Sequence, residues 1–480
     1  MQLVFALAVV ITNAHVLTMN PAQPTAKVVA VAGDRIAYVG DDLAAAEKAA
    51  PGAALLDAGG RTVMPGFNDA HVHFGLSLTL GSDHGIDLPN LDRRAFIRAV
   101  KRASAAHPDR DWLFIKIRDL PRGIESARDL AFISRPLLVV SAHGGILNPR
   151  ARALGGFSND EAPGGFIHGR DLATSFDRLI KALPFGRLTG GAHEFLAHLA
   201  RVGITSVQLI DELPDLFDGL RRKGELTARI RFIPFGHQFE NPFYVSSWKG
   251  PAPDWVRVEG VKYFDDEGAR LPRWEMEEIF ERSRKASRQV VVHVLSGAAL
   301  ESLLDGIEQL ATADHDPAAT RLWRIEHADE VTPEQARRLA KDGIIVCSNP
   351  SMIPEWHTES AFPMHTLLAA GVRTCIGTDW VGRHVPERSL SPMSGVELAV
   401  THGGFGTAER ITTAQALDAY TVGSATAEHL EKKKGALRPG MFADLIVLSA
   451  DPLTTPPEEL GAIEVLMTMV GGRVVYRHGF

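Results

Sequence analysis

The chain carries Asp69-Ala70-His71-Val72-His73 directly after the apolar run Thr62-Val63-Met64-Pro65-Gly66-Phe67. In a strand, residues two apart project to one side, so the imidazoles of His71 and His73 can reach one metal ion from the strand's C-terminal end. Two hydrogen-bonded core histidines would leave the same trace, and the short motif alone does not choose between these readings. Recurrence does narrow the choice. Lys262 lies in Val258-Glu259-Gly260-Val261-Lys262-Tyr263-Phe264, His293 in Val290-Val291-Val292-His293-Val294, His327 in Trp323-Arg324-Ile325-Glu326-His327, and Asp379 just after Cys375-Ile376-Gly377-Thr378. Each interrupts or ends a hydrophobic run that reads as a strand. A lysine or aspartate buried there is costly unless paired or coordinated, so charges gathered at the ends of successive strands point to a functional site.

The elements that must position these residues are legible as a pattern. Strand-length apolar runs are expected at 63–67, 203–210, 229–235, 258–264, 289–295, 322–326, 343–347 and 372–377. Between them lie amphipathic stretches predicted as helices, among them 275–287, 298–311 and 333–341, the last entered by Thr332 as N-cap. Alternation of this kind predicts an α/β fold with parallel strands, and the number of runs suits a (β/α)8 TIM barrel. Residues 1–63 and 432–480 read differently, as short strands punctuated by turns such as Gly33-Asp34 and Gly59-Gly60. The two chain ends are therefore expected to form one small discontinuous β-sandwich domain, leaving 64–431 to the barrel. The segment from about 74 to 190 exceeds any single β/α connection, and is expected to be an inserted subdomain following the first barrel strand, where it would shape substrate access.

Composition excludes several functions. With 480 residues, 45% hydrophobic and 23% charged, the chain has ample material for a core. A net charge of −7, with no basic run longer than Lys432-Lys433-Lys434, gives no electrostatic footprint for nucleic acid or an anionic membrane. The expected partner is a small-molecule substrate. The apolar opening Leu3 to Ile11 is too short to span a bilayer and reads as a buried strand. Cys347 and Cys375, the two cysteines, each sit in an apolar run and read as free thiols of a reducing compartment, from which a cytoplasmic location is expected.

The arrangement resembles the amidohydrolase superfamily, in its branch of YtcJ-like enzymes related to N-substituted formamide deformylases. The resemblance spans nearly the whole chain. It rests on Pro65-Gly66-Phe67-Asn68-Asp69-Ala70-His71-Val72-His73, Gly260-Val261-Lys262, Arg324-Ile325-Glu326-His327, Gly377-Thr378-Asp379-Trp380, and the tail from Pro439 to Leu448. The resemblance implies that His71 and His73 hold the more buried metal, that His293 and His327 hold the more exposed one, and that Asp379 binds metal and shuttles the proton. Lys262 would be the bridge. An ammonium with a pKa of ~10.4 offers no acceptor at neutral pH, so the bridge requires carbamylation, which turns the amine into an anionic oxygen donor. A salt bridge from Lys262 to Asp265, Asp266 or Glu267 is the alternative, and it would leave a single metal. The implied cofactor is two zinc ions per chain, with manganese or iron as substitutes. Two divalent cations, one carbamate, Asp379 and one hydroxide sum to about +1 in a poorly solvated cleft, which attracts and polarises a carbonyl oxygen.

The activity implied is hydrolysis of a carbon–nitrogen bond in a small-molecule amide, of the N-formyl or N-acyl amine type, by a metal-activated hydroxide. An esterase or lactonase would use the same hydroxide, and a non-catalytic scaffold would keep the fold without the chemistry. The family's inserted segment commonly carries Asp-Gly-His and then Trp-Val-Asn; here the matching stretch runs Ser141-Ala142-His143-Gly144-Gly145-Ile146-Leu147-Asn148. His143 and Asn148 remain, and the acidic and tryptophan positions are lost, which weakens transfer of any substrate. His143 is expected to polarise the carbonyl or bind substrate, a structural turn histidine being the competing reading. Trp380 is a candidate substrate contact, and His237, Trp356, His357, Arg383 and His384 are further loop residues after barrel strands. A homodimer is a family-level expectation.

Overall fold

A computed structural model describes residues 8–80, 85–108, 110–141, 144–167, 175, 178–210, 213–236, 250, 252–265, 270–313, 317–356, 361–380 and 391–479. It divides into two compact units: Met1–Val72, Glu194–Asp379 and Pro386–Phe480 form one, and His73–His193 with Trp380–Val385 the other.

The larger unit contains two all-parallel sheets. One runs in the order Val256–Val258, Arg229–Phe232, Ile204–Leu209, Phe67–Val72. The other runs Val261–Phe264, Val290–Val294, Trp323–His327, Ile345–Ser348, Thr374–Ile376. Period-2 alternation sorts the side chains of the second sheet. Val290, Val292, Val294, Trp323 and Ile325 join Leu300, Leu303, Leu304, Ile307 and Leu339 of the covering helices in one apolar cluster. Val291, His293, Arg324 and Glu326 alternate with them and face the other way. The covering helices include Arg273–Ala286, Gly297–Ala313 and Pro333–Asp342. The last begins as its sequence dictates, with Thr332 and Gln335 closing a capping box, and ends at Gly343 with φ of 68°.

Two further sheets of this unit use residues from both chain ends. A six-stranded sheet has the order Arg473–Arg477, Val465–Val470, Leu445–Leu448, Thr62–Pro65, His15–Leu17, Thr25–Ala26. A four-stranded one has the order Arg35–Gly40, Val28–Ala32, Ala8–Thr12, Ala54–Asp57. Ile11, Val29 and Val31 of the second meet Val16, Val63, Leu445, Val447 and Met467 of the first in one cluster.

The expected strand at 63–67 is corrected by this arrangement. Thr62–Pro65 pairs with Leu445–Leu448 in the six-stranded sheet, whereas Phe67–Val72 pairs with Ile204–Leu209. The handover falls at Gly66, where a Cβ would lie 2.1 Å from Thr205 Cγ2. No side chain fits there, and the chain changes sheet within one residue.

The smaller unit holds a mixed five-stranded sheet in the order Phe166–Ile167, Gly144–Leu147, Leu137–Ser141, Leu113–Lys116, Gly85–Asp87. Helix Arg93–Ala106, capped by Asp92, places Phe96 and Val100 against Leu113, Ile115, Leu137 and Val139. Asn148 is structural here: its amide donates to Ile133 O (2.9 Å) and Arg135 O (2.8 Å), and its oxygen caps Ala151 N (2.9 Å). Among the described residues, no helix is long and apolar enough to cross a membrane.

Candidate metal centre

Five of the residues singled out in the sequence come together in the larger unit. His71 Nε2 lies 3.5 Å from Asp379 Oδ1. The His71 and His327 rings are 5.0 Å apart between centroids, and those of His327 and His293 are 4.5 Å apart. One donor atom from each of His71, His327 and Asp379 falls within 4.8 Å of the others, so that the three could hold one metal ion. His293 also packs on Phe264 at 5.0 Å. Lys262, 1% exposed, belongs to the strand register-paired with that of His293.

Backbone conformation does part of the placing. His327 shares its strand parity with Trp323 and Ile325, so a regular strand would send it outward among the helices. Its φ of 70°, followed by 51° at Ala328, breaks the strand and leaves the ring beside His71 and His293. Asp379 has φ of 50°. Left-handed backbone is sparsely populated by non-glycine residues and marks functional sites when the surroundings impose it. Here they do: Asp379 N–H donates to His71 O (2.8 Å), and Asp69 accepts from Thr378 N (2.9 Å) and Thr378 Oγ1 (2.7 Å). Gly377 lies so close to His71 that a Cβ would be 2.5 Å from its backbone nitrogen.

The ring nitrogens are oriented by partners. His71 Nδ1 is hydrogen-bonded to Glu326 Oε2. His327 Nδ1 lies 2.9 Å from Asn349 Oδ1, and the Asn349 amide donates to Gly377 O (2.9 Å), which fixes its oxygen as the group facing His327. A neutral imidazole that donates from Nδ1 keeps a lone pair on Nε2. Burial, with Lys262 and His71 adding, holds the His293 imidazole well below the ordinary histidine range. Burial and then His293 do the same to His327. Both are neutral and able to ligate.

The lysine and the acids are perturbed as well. Burial lowers the Lys262 amine to about 8, against the pull of Glu326 and Asp379. Its Nζ has no hydrogen-bond partner among the described residues. The salt-bridge alternative through Asp265 fails, because that carboxylate is engaged by Arg270 Nε (2.6 Å) and Leu271 N (2.9 Å). Asp266 and Glu267 lie outside the described residues. Burial raises the Asp69 carboxyl to about 7, opposed by the Thr378 hydrogen bonds. Burial also pushes Glu326 up, but Arg324, His71 and Lys262 together hold it well below the carboxylate range.

His73 and Trp380 belong to the smaller unit, where His73 N–H donates to Trp380 O (3.0 Å). His143, His237, His357, Arg383 and His384 lie outside the described residues, and Trp356 ends a short helix. Sequence reasoning missed Asn349, Asp69, Thr378 and the Arg324–Glu326 pair as parts of the site. Two charged residues alternating with apolar ones in a buried strand were the available signal for that pair.

Residues 54–476 match the amidohydrolase family model, which covers most of the chain. The protein belongs to that family, whose activity is metal-dependent hydrolysis. Its relatives include the N-substituted formamide deformylase of Arthrobacter pascens, to which it is 25% identical across 97% of this chain and 98% of that one. The putative amidohydrolase YtcJ of Bacillus subtilis is 24% identical across 87% and 89%. Among solved structures, an uncharacterized metal-dependent hydrolase from Pyrococcus horikoshii superposes with a TM-score of 0.72 at 20% identity, covering 94% of this chain and 99% of that one.

Proposed function

We propose that the protein hydrolyses the carbon–nitrogen bond of a small-molecule amide, of the N-acyl or N-formyl amine type, at the mouth of a closed barrel of eight strands, Val256–Val258 and Val261–Phe264 counting as one strand interrupted at 259–260. The observation that carries this reading is the convergence of His71, His327 and Asp379 donor atoms within 4.8 Å, with His293 against His327. Closure of the barrel is supported at both seams between the parallel sheets, by the Asp379 N to His71 O bond and by a parallel bridge between Phe235 and Lys262. In this reading residues 1–63 and 432–480 form the small sandwich, and 74–190 the insertion.

The residues present fit a divalent metal pair. Imidazole nitrogens and a carboxylate suit zinc, and the buried Lys262 Nζ has no hydrogen-bond partner among the described residues. His71, His293, His327 and Asp379 would hold the metals, with His73 added from the sequence motif and carbamylated Lys262 as a further oxygen ligand. Bound there, the metals supply a Lewis acid for the carbonyl oxygen and acidify a water to near neutral pH. Lys262, whose proton burial makes easier to lose, would add through its lone pair to CO2 and lose one proton to become the carbamate. Asp379 takes the proton of the attacking water and returns it to the leaving nitrogen as the C–N bond breaks, so one carboxylate serves as base and then acid. The products are a carboxylic acid and an amine. His143 and Trp380 are the sequence's candidates for substrate contacts.

The test is metal content per chain on protein expressed with zinc and bicarbonate, together with turnover of an N-substituted formamide and its matched formate ester. About two equivalents and faster amide cleavage are expected. Faster ester cleavage would replace the amide reading, and no metal after reconstitution would overturn the hydrolase.

A further inference from the structure

We propose that Glu326, clamped by Arg324, is a positioning residue that fixes which ring nitrogen of His71 faces the metal centre and thereby sets the centre's affinity for metal. This rests on the reading of His71 as a ligand. His71 has two ring nitrogens and, when neutral, one proton. With Nδ1 bonded to Glu326 Oε2, the proton sits on Nδ1 and the Nε2 lone pair points toward Asp379, 3.5 Å away. The opposite tautomer would put a proton where the ion must bind.

Glu326 is not itself placed to ligate. Its Oε1 accepts from Arg324 Nε (2.5 Å), and its Oε2 from both Arg324 Nη2 (3.1 Å) and His71. The clamp cannot swing away. Arg324 Nη2 also donates to Ala70 O (2.8 Å), and Arg324 Nη1 to Gln208 Oε1, an oxygen that Arg231 Nη1 engages as well (2.9 Å). The pair therefore grips His71 twice, through its ring and through the backbone carbonyl of the residue before it. Cys347 Sγ lies in the same cluster, but the hydrogen bond of Nδ1 runs to Glu326 Oε2.

Energetics favour a functional reading of the clamp. Arg324 and Glu326 are both fully buried, and apolar residues of similar volume would hold the fold as well or better. What apolar residues cannot do is accept the Nδ1 proton. Partners of metal-bound histidines typically contribute about 10- to 100-fold in metal affinity.

The experiment compares wild type with two charge-balanced double variants, R324M/E326L, which removes the acceptor, and R324M/E326Q, which keeps a neutral one. Zinc affinity is read by chelator competition, and folding by thermal melts of the metal-free proteins. Expected are melts near or above wild type for both, a loss in zinc affinity of about 10- to 100-fold for R324M/E326L, and recovery of most of it in R324M/E326Q. Equal affinity in all three proteins overturns the proposal while leaving the metal site standing. Equal loss in both doubles overturns it too, since the acceptor would then not matter. Wild type without zinc affinity sinks the metal reading itself. Should the doubles fail to fold, ring nitrogen-15 shifts of metal-free wild type, with His71 assigned by its loss in His71→Gln, decide the matter: a proton on Nε2 refutes the proposal.

Discussion

Replacing Lys262 with methionine should make the metal-free protein more stable while removing its activity. The amine is fully buried, and burial lowers its pKa from 10.5 to about 8 despite Glu326 and Asp379. An unfolded chain gives up this proton at the ordinary lysine value, a folded one at about 8. Below pH 8 both states are charged, and the fold carries the whole cost of burying the ammonium, about 3 kcal/mol. Between pH 8 and 10.5 the unfolded chain holds a proton that the folded chain has lost, so raising pH stabilises wild type. Methionine has no such dependence. Urea unfolding of metal-free proteins in CO2-free buffer should therefore find Lys262→Met more stable by about 3 kcal/mol at pH 7, and by less than about 1 kcal/mol at pH 10. The same variant should bind at most one metal and turn over no substrate. A gap that is absent at pH 7, or that does not narrow by pH 10, refutes the reasoning.

Asp379→Asn should lower turnover by about 10²- to 10⁴-fold without unfolding the chain, because asparagine tolerates the left-handed backbone but cannot take a proton; kcat and a melt check both halves. Asp69 holds its proton to about pH 7 when folded and to about 4 when unfolded, so stability of the metal-free protein should fall as pH rises across that window, by about 4 kcal/mol. Asp69→Asn should flatten that slope in urea titrations at pH 4.5 and 7.5, while an equal slope would remove Asp69 as its source. Thr332→Ala should cost about 1 kcal/mol through the lost helix cap and leave turnover per folded molecule unchanged, which denaturation and an active-fraction assay would show.

Much of the candidate site was legible because polar groups stand out against apolar strands. Lys262 and His293 sit mid-strand among valines and aromatics, and His71 follows an apolar run, so each announced itself. His327 was legible by position and not by phase. Its parity with Trp323 and Ile325 predicts an outward ring, and only the left-handed turn at 327–328 reverses that. Asn349 carried no signal, since a polar residue after an apolar strand is an ordinary loop entry; its role comes from Gly377 and His327, which are remote in sequence. The boundary at Gly66 was hidden for a similar reason. The run from Thr62 to Phe67 is continuously apolar, and what divides it is the approach of Thr205, 139 positions downstream of that glycine.

That handover bears on biosynthesis. Thr62–Pro65 is seated between His15–Leu17 and Leu445–Leu448, so the strand leading into His71 gains its second neighbour only after residue 445 has left the ribosome. The nascent chain exposes a half-paired edge for most of its translation, and the helices and parallel strands between must form around an unanchored beginning. A product truncated before Leu445 would lack that second neighbour, and would be a client for chaperones and proteases rather than a weak enzyme.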